Sequence, residues 1–567
     1  MEQLQRRIAV ARGDEPADLV VQGGRVLSVF TREWLDADIA VVDGVVAGVG
    51  RYEGHETLDA TGRYVVPGFI DAHMHFESVK LMVDQFARLV LPLGTTAVVA
   101  DPHEIANVLG VDGVHWLLDA SAELQLDVFF MASSCVPASS FESPRRPFVP
   151  GDLESLMRRR RVLGLAEMMN YPGVIAGSPA ELEKLGLDGA AHADGHAPGV
   201  LGNELQAYAA AGIGSDHEAL TVEEGRERLR AGMWLLIREA SMARNLLDLL
   251  PLVEELGPAR IAFCTDDRDP EDIADDGHIN GMVRKAVAAG IAPEDALVMA
   301  SLNPALWHGL HHHGAIAPGY HADLLLFPDL VTFAPETVLK SGRPIGESSP
   351  VEIPDWVRQS VRIRPVAAAD FEIPAHEESI RTIGLIPDQV VTTSVVVAPV
   401  VEGGLTVADA ARDLAKIAVI ERHLATGRIG HGFVTGSGLA RGALASSVSH
   451  DAHNLIVVGM TDSDMAVAVG RLAEIGGGIV AVDDGGVLAE CPLPIAGLLS
   501  DAPLADVLRD ARACVEQARA LGCDLPAPFQ TMSFLALSVI PSLKITDRGL
   551  VDVDRFELVP LDASQPA

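Results

Sequence analysis

Between residues 65 and 265 the chain alternates short apolar β-type runs with helical patterns eight times, and this alternation limits the fold more than any other feature. Strands are predicted at Val65–Ile70, Thr96–Ala100, Val128–Ser133, Leu163–Glu167, Ala190–Asp194, Gly212–Ser215, Met233–Ile237 and Ile261–Thr265. Strands separated by helices form βα units on a parallel sheet. Eight such units close a (β/α)8 barrel, whose chemistry gathers at the C-terminal ends of the strands.

Metal-capable residues stand at those ends. The first strand finishes in Asp71-Ala72-His73-Met74-His75, and side chains two apart on a strand share a face, so both imidazoles can reach one ion. Asp101, His103 and Glu104 follow the second strand, Glu167 closes the fourth, His196 follows the fifth and His217 with Glu218 the sixth. Arg238 and Glu239 follow the seventh, and Asp266 the eighth. Any one of these could be an ordinary polar residue, but together His73, His75, Glu167, His196, His217 and Asp266 suit two divalent ions, with Glu167 as the bridging anion. Two ions about 3.5–4 Å apart can share a hydroxide near neutral pH. Such a ligand set takes Zn(II), Mn(II) or Fe(II).

The flanks are predicted to form two further domains. Short β-rich runs within 1–65, and a matching stretch within 310–348, point to one discontinuous small β-sandwich domain around the barrel of 66–309. After a Pro-bearing connection, residues 349–567 are expected to form a C-terminal α/β domain, with strands at Gln389–Val397, Leu455–Val458 and Gly478–Val482 and a helix near Asp462–Ile475.

Composition excludes several classes. With 567 residues and 48% hydrophobic content the chain can bury a barrel, and no apolar run reaches the roughly 18 residues of a membrane span. The opening residues lack a signal-peptide core, so a cytoplasmic location is expected. A formal charge of −36 argues against nucleic-acid binding. The five cysteines form no Cys-x-x-Cys pair, which excludes the cytidine-type deaminase signature, and His103-Glu104-Ile105-Ala106-Asn107 lacks the second histidine of a zincin protease. His311-His312-His313 is expected to be solvated or supporting, and Gly476-Gly477-Gly478 to be a turn.

Over nearly its whole length the chain resembles the bacterial adenine deaminase family of the amidohydrolase superfamily. The blocks that carry the resemblance are Pro67–Ser78, Gly94–Val108, Gly164–Asn170, Asp194–Pro198 and, in the last domain, Ser449–Asn454. Many superfamily members bridge their metals with a carboxylated lysine on the fourth strand, whereas this chain has Glu167 there, as adenine deaminases do. Met74, Phe76 and Val79-Lys80 depart mildly from the family pattern without removing a ligand.

The resemblance implies hydrolysis of adenine to hypoxanthine and ammonia in purine salvage, by attack of a metal-bridging hydroxide at C6. Mn(II) or Fe(II) are favoured, with Zn(II) also compatible. Asp266 would take the hydroxide proton and pass it to the leaving amine, with His217 also in the catalytic set. Glu104 is preferred as the group that protonates the purine ring, and His103, Glu218 and Glu239 are expected to bind substrate. A homodimer or higher homo-oligomer is expected. The rival readings are another amidohydrolase-superfamily deaminase, a cyclic-amide hydrolase, which would usually carry the absent lysine, and a non-catalytic scaffold of the same fold, which would tend to lose ligands.

Overall fold

In a computed structural model describing residues 1–190, 192–376, 378–387 and 389–565, all eight barrel strands appear close to their predicted places. They are β1 (Phe69–Met74), β2 (Thr95–Ala100), β3 (Asp127–Ala132), β4 (Val162–Met168), β5 (Ala193–Gly195), β6 (Ser215–Asp216), β7 (Trp234–Arg238) and β8 (Ile261–Cys264). The first runs four residues beyond its predicted end, because Tyr64–Pro67 belongs to another sheet and Gly68 separates the two segments. Part of the fifth predicted strand, residue 191, lies outside the described residues.

Strands β1 to β5 pair in parallel in sequence order, as do β6 to β8. Parallel bridges from Ala193 to Ile213 and from Met74 to Asp266 join the two groups, so the sheet closes on itself. The closure between β8 and β1 is reinforced by Asp71, which accepts a hydrogen bond from the Thr265 amide at 3.0 Å and another from its hydroxyl. The two-residue β6 is held by its pairing with β7, whose Leu235 and Ile237 share one continuous apolar cluster with Ile261 and Phe263 of β8.

The N-terminal strands and those of 324–344 form a single eight-stranded sheet. Its longest member, Ala17–Ser28, pairs through its first part with Gly54–Asp59 and through its second with Tyr64–Pro67, while its antiparallel pairing with Glu33–Val42 shifts register between Val21 and Gly24. Leu324–Phe327 lies antiparallel to Tyr64–Pro67, which brings the two sequence-distant stretches into one core of Val26, Ile39, Val65, Leu324 and Leu326.

Beyond residue 350 a mostly antiparallel eight-stranded sheet carries Thr392–Val397, Leu455–Gly459 and Gly478–Asp483, matching the predicted strands with a start three residues later in the first. The period of two is plain in Leu414–Ile420: Ala418 and Ile420 pack with Met465, Val469 and Leu472 of helix Asp462–Glu474, while Ile417 and Val419 join the large cluster that continues into the barrel. That continuity seats the loop 447–454 and helix Pro528–Phe534 over the barrel mouth. Among the described residues no helix is long and apolar enough to cross a membrane. The Gly476-Gly477-Gly478 run turns the chain from helix to strand at positive φ, and His313 of the histidine triplet hydrogen-bonds Asp127 at 3.0 Å.

Candidate metal centre and active site

The strand ends bring His73, His75, Glu167, His196, His217 and Asp266 together, each at most 5% exposed. His73 Nε2 and His75 Nε2 are 3.1 Å apart. Glu167 faces both halves of the cluster. Its Oε1 lies 3.8 Å from His73 Nε2 and 3.5 Å from His75 Nε2, whereas its Oε2 lies 2.8 Å from His196 Nδ1 and 3.4 Å from His217 Nε2. Asp266 Oδ1 stands 3.3 Å from His75 Nε2 and 3.9 Å from His73 Nε2.

Most of these separations exceed a hydrogen bond, yet they match the edges of a coordination shell. Donors about 2.1 Å from one ion sit about 3.0–3.4 Å from each other. Burial, reinforced by the neighbouring His217 imidazole, pushes His73 down to about 3, so its ring is neutral and its lone pair free. Burial alone would raise the Glu167 carboxyl, but the imidazoles of His196 and His217 hold it well below the ordinary carboxylate range. For Asp266, burial is likewise outweighed by His75, His217 and Arg238. His75, His196 and His217 are by contrast held above the ordinary imidazole value, despite burial, by the carboxylates of Asp266, Glu218 and Glu167, so a divalent cation binding there would release protons. Four imidazoles around ionised carboxylates form a donor set that fits divalent cations.

Supporting contacts fix the rings. The Asp101 carbonyl lies 3.0 Å from His75 Nδ1, which leaves Nε2 for the centre. Asp216 accepts from the Ala197 amide at 2.8 Å, the Glu218 amide at 3.2 Å and Arg228 Nε at 2.8 Å, and Arg228 also donates to the Ala197 and Val200 carbonyls. One buried ion pair therefore sets the loops that carry His196 and His217. Arg238 grips Glu218 with both Nη atoms and reaches Asp266 Oδ2 at 3.2 Å.

The cavity over the cluster is walled by polar groups including His103, Glu218 and Arg238, and by Met169, Val390, Phe534, Leu537 and Ile540. Of the residues nominated for substrate, His103 and Glu218 reach this wall. Glu239 instead turns to Lys285 Nζ at 2.7 Å. Glu104 stands behind the wall, its oxygens facing His450 Nδ1 at 3.5 Å and His453 Nε2 at 3.7 Å. Asp216, Arg228 and Phe534 carry no signal in the sequence, which for the block holding His450 and Asp451 leaves open closure over the site, binding of another ion or a polar domain contact; both residues line the cavity, from a loop about 185 residues after the last barrel strand. The Ser449–Asn454 block was the only sequence signal for the last two.

Two family models match. Residues 64–345 fit the amidohydrolase family and residues 389–557 the adenine deaminase C-terminal domain. Full-length relatives include adenine deaminase 2 of Carboxydothermus hydrogenoformans, 46% identical over 99% of this chain and 100% of that one. Adenine deaminase of Desulfatibacillum aliphaticivorans is 47% identical over 98% of this chain and 99% of its own, and adenine deaminase 1 of Rhizobium meliloti 45% over 98% and 100%. Among solved structures, N-acetyl-D-glucosamine-6-phosphate deacetylase from Mycobacterium smegmatis aligns at a TM-score of 0.44 with 19% identity, over 58% of this chain and all of that one. With a six-residue donor cluster at the mouth of a parallel barrel and relatives of this identity over their full length, the chain belongs to the adenine deaminase family of amidohydrolases.

Proposed function

We propose that the chain hydrolyses adenine to hypoxanthine and ammonia at this centre. The observation that carries the reading is the split of Glu167, one oxygen toward His73 and His75 and the other toward His196 and His217, beneath a cover from the C-terminal region. His73, His75, Glu167, His196, His217 and Asp266 would hold two divalent ions, Mn(II) or Fe(II) preferred and Zn(II) compatible, which when bound would make water nucleophilic near neutral pH.

The chain's own groups then order the reaction. Met169, Val390, Phe534, Leu537 and Ile540 seat the flat purine and keep bulk water off it. Asp266 accepts a proton from the adding oxygen and delivers it to the exocyclic nitrogen, so that ammonia departs. His217, against both Glu167 and Glu218, keeps the attacking side in place. The ring nitrogen gains the other proton of water through Glu218, which is on the cavity wall where Glu104 is not. His103 contributes to the same wall, and Glu239 supports it from behind.

In this reading the enzyme works in purine salvage in the cytoplasm as a homodimer or higher homo-oligomer. Its parts divide as 1–65 with 310–348, 66–309 and 349–567, a division supported by the strand pairing of 64–67 with 324–327. Substrate profiling tests the assignment: adenine should turn over far faster than adenosine or a hydantoin, and the reverse order would overturn it.

A further inference from the structure

Beside the six-residue centre, and independent of which substrate it serves, a second group of buried donors meets where the barrel joins the C-terminal loop. His103 Nε2 lies 3.4 Å from Asp451 Oδ1, Asp451 Oδ1 lies 3.6 Å from His450 Nδ1, and His450 Nδ1 lies 3.5 Å from Glu104 Oε1. One ligand atom each of His103, His450 and Asp451 falls within 4.8 Å of the other two. We propose that His103, Glu104, His450 and Asp451 form a third divalent-cation site, distinct from the pair of ions held around Glu167.

Three observations support it. The first is satisfaction: His103 Nε2 and both oxygens of Glu104 and of Asp451 have no hydrogen-bond partner, although these residues are at most 2% exposed. Buried polar atoms in native proteins are almost always paired, so five unpaired atoms in one cluster call for an occupant, even with Glu104 Oε2 turned to His453 Nε2 at 3.7 Å. The second is spacing. Separations of 3.4–3.6 Å are at or beyond the limit of a hydrogen bond, but they are the distances expected between donors each about 2.1 Å from one tetrahedral ion.

The third is preorganisation, which metal ligands require and a loose polar contact does not. Asp101 holds His103 through Nδ1 at 3.1 Å and is itself held by Ser133 Oγ at 2.7 Å. The His450 ring stacks on Phe534, with centroids 4.6 Å apart and planes at 23°. Glu142 receives the amides of Asp451 and Ala452 at 3.2 and 3.0 Å, fixing the loop. His103 also stands 3.7 Å from Glu167 Oε1, through Nδ1 and not the nitrogen offered to the third site, so the two sites share a wall without sharing a donor atom. Two imidazoles with two carboxylates accept Mn(II) and Zn(II) alike.

Counting ions in the full-length protein tests this. After chelation, loading with Mn(II) and removal of excess, wild type should hold three ions per chain by elemental analysis, and His450→Ala and Asp451→Asn two each. Glu167→Ala should lose the barrel pair and keep one. Crystals of the Mn(II)-loaded protein should show anomalous density between His103 Nε2 and Asp451 Oδ1, a readout that stands even if a variant misfolds. A wild type with two ions and no such density overturns the third site while leaving the adenine assignment intact; three ions retained in both loop variants overturn it as well. A wild type that turns over no adenine but keeps one ion between His103 and Asp451 would fail the other way round.

Discussion

Asp266 carries the sharpest residue-level consequence. Its backbone lies at φ 56, a left-handed conformation that aspartate and asparagine tolerate and β-branched residues do not, and its amide donates to the His73 carbonyl at 2.9 Å. Asp266→Asn therefore keeps the backbone and one coordinating oxygen while removing the basic site. Metal content should stay near wild type and turnover should fall by roughly 10²-fold or more, the scale of general acid–base catalysis. Full turnover in a metallated Asp266→Asn protein would assign the proton to another wall group, Glu218 first. Glu167→Ala differs in kind, because its two oxygens face opposite halves of the cluster: occupancy of the barrel pair and rate should fall together, as elemental analysis and adenine turnover would report.

At the scale of elements, much was legible because the barrel's rules are local. Strand ends such as His73-Met74-His75 and Gly214-Ser215-Asp216-His217 announce themselves through apolar runs that stop at a polar pair, and the period of two fixes which residues share a face. What could not be read were contacts that local pattern does not encode. Glu104 fitted the same pattern as His103, yet one step along helix His103–Leu109 turns its side chain toward His450 and His453 instead of the cavity. Arg422 illustrates the same limit. Fully buried and without a carboxylate partner among the described residues, it donates to the carbonyls of His453, of Ala496 at 2.9 Å and of Ser447 at 3.4 Å, so a guanidinium serves as the scaffold of the loop. Gly497 makes room for it: a Cβ there would meet Arg422 Nη1 at 2.1 Å. Arg422→Met should orphan those carbonyls at a cost on the order of 1–3 kcal/mol each before relaxation. Amide exchange across 447–454 should accelerate while that of β1 to β4 stays slow, and equal protection of the loop in both proteins would show that packing alone holds it.

For the whole molecule, several hydrogen bonds fasten the C-terminal region over the barrel, and Glu142 makes a buried one across 309 residues of chain. Burial, with the Asp451 carboxylate adding, pushes the Glu142 carboxyl up to about 7 from an ordinary 4.5, although Ser538 and the two loop amides act the other way. A carboxyl with a raised folded value binds its proton more tightly in the folded state, so its contribution is fully present below about pH 4.5 and is lost as pH rises through about 7. Glutamine at this position keeps an oxygen for the amides of Asp451 and Ala452 and presents an amide to Ser538, but it does not titrate. Glu142→Gln should therefore leave the fastening in place and remove one source of pH dependence. In urea unfolding of metal-free protein at pH 5, 6, 7 and 8, wild type should lose stability relative to Glu142→Gln across the interval from about 5 to about 7, and the difference should level off above it. Parallel curves for the two proteins would mean that this carboxyl is ionised throughout, in which case the desolvated fastening is held by its hydrogen bonds to the loop amides and Ser538 and not by a retained proton.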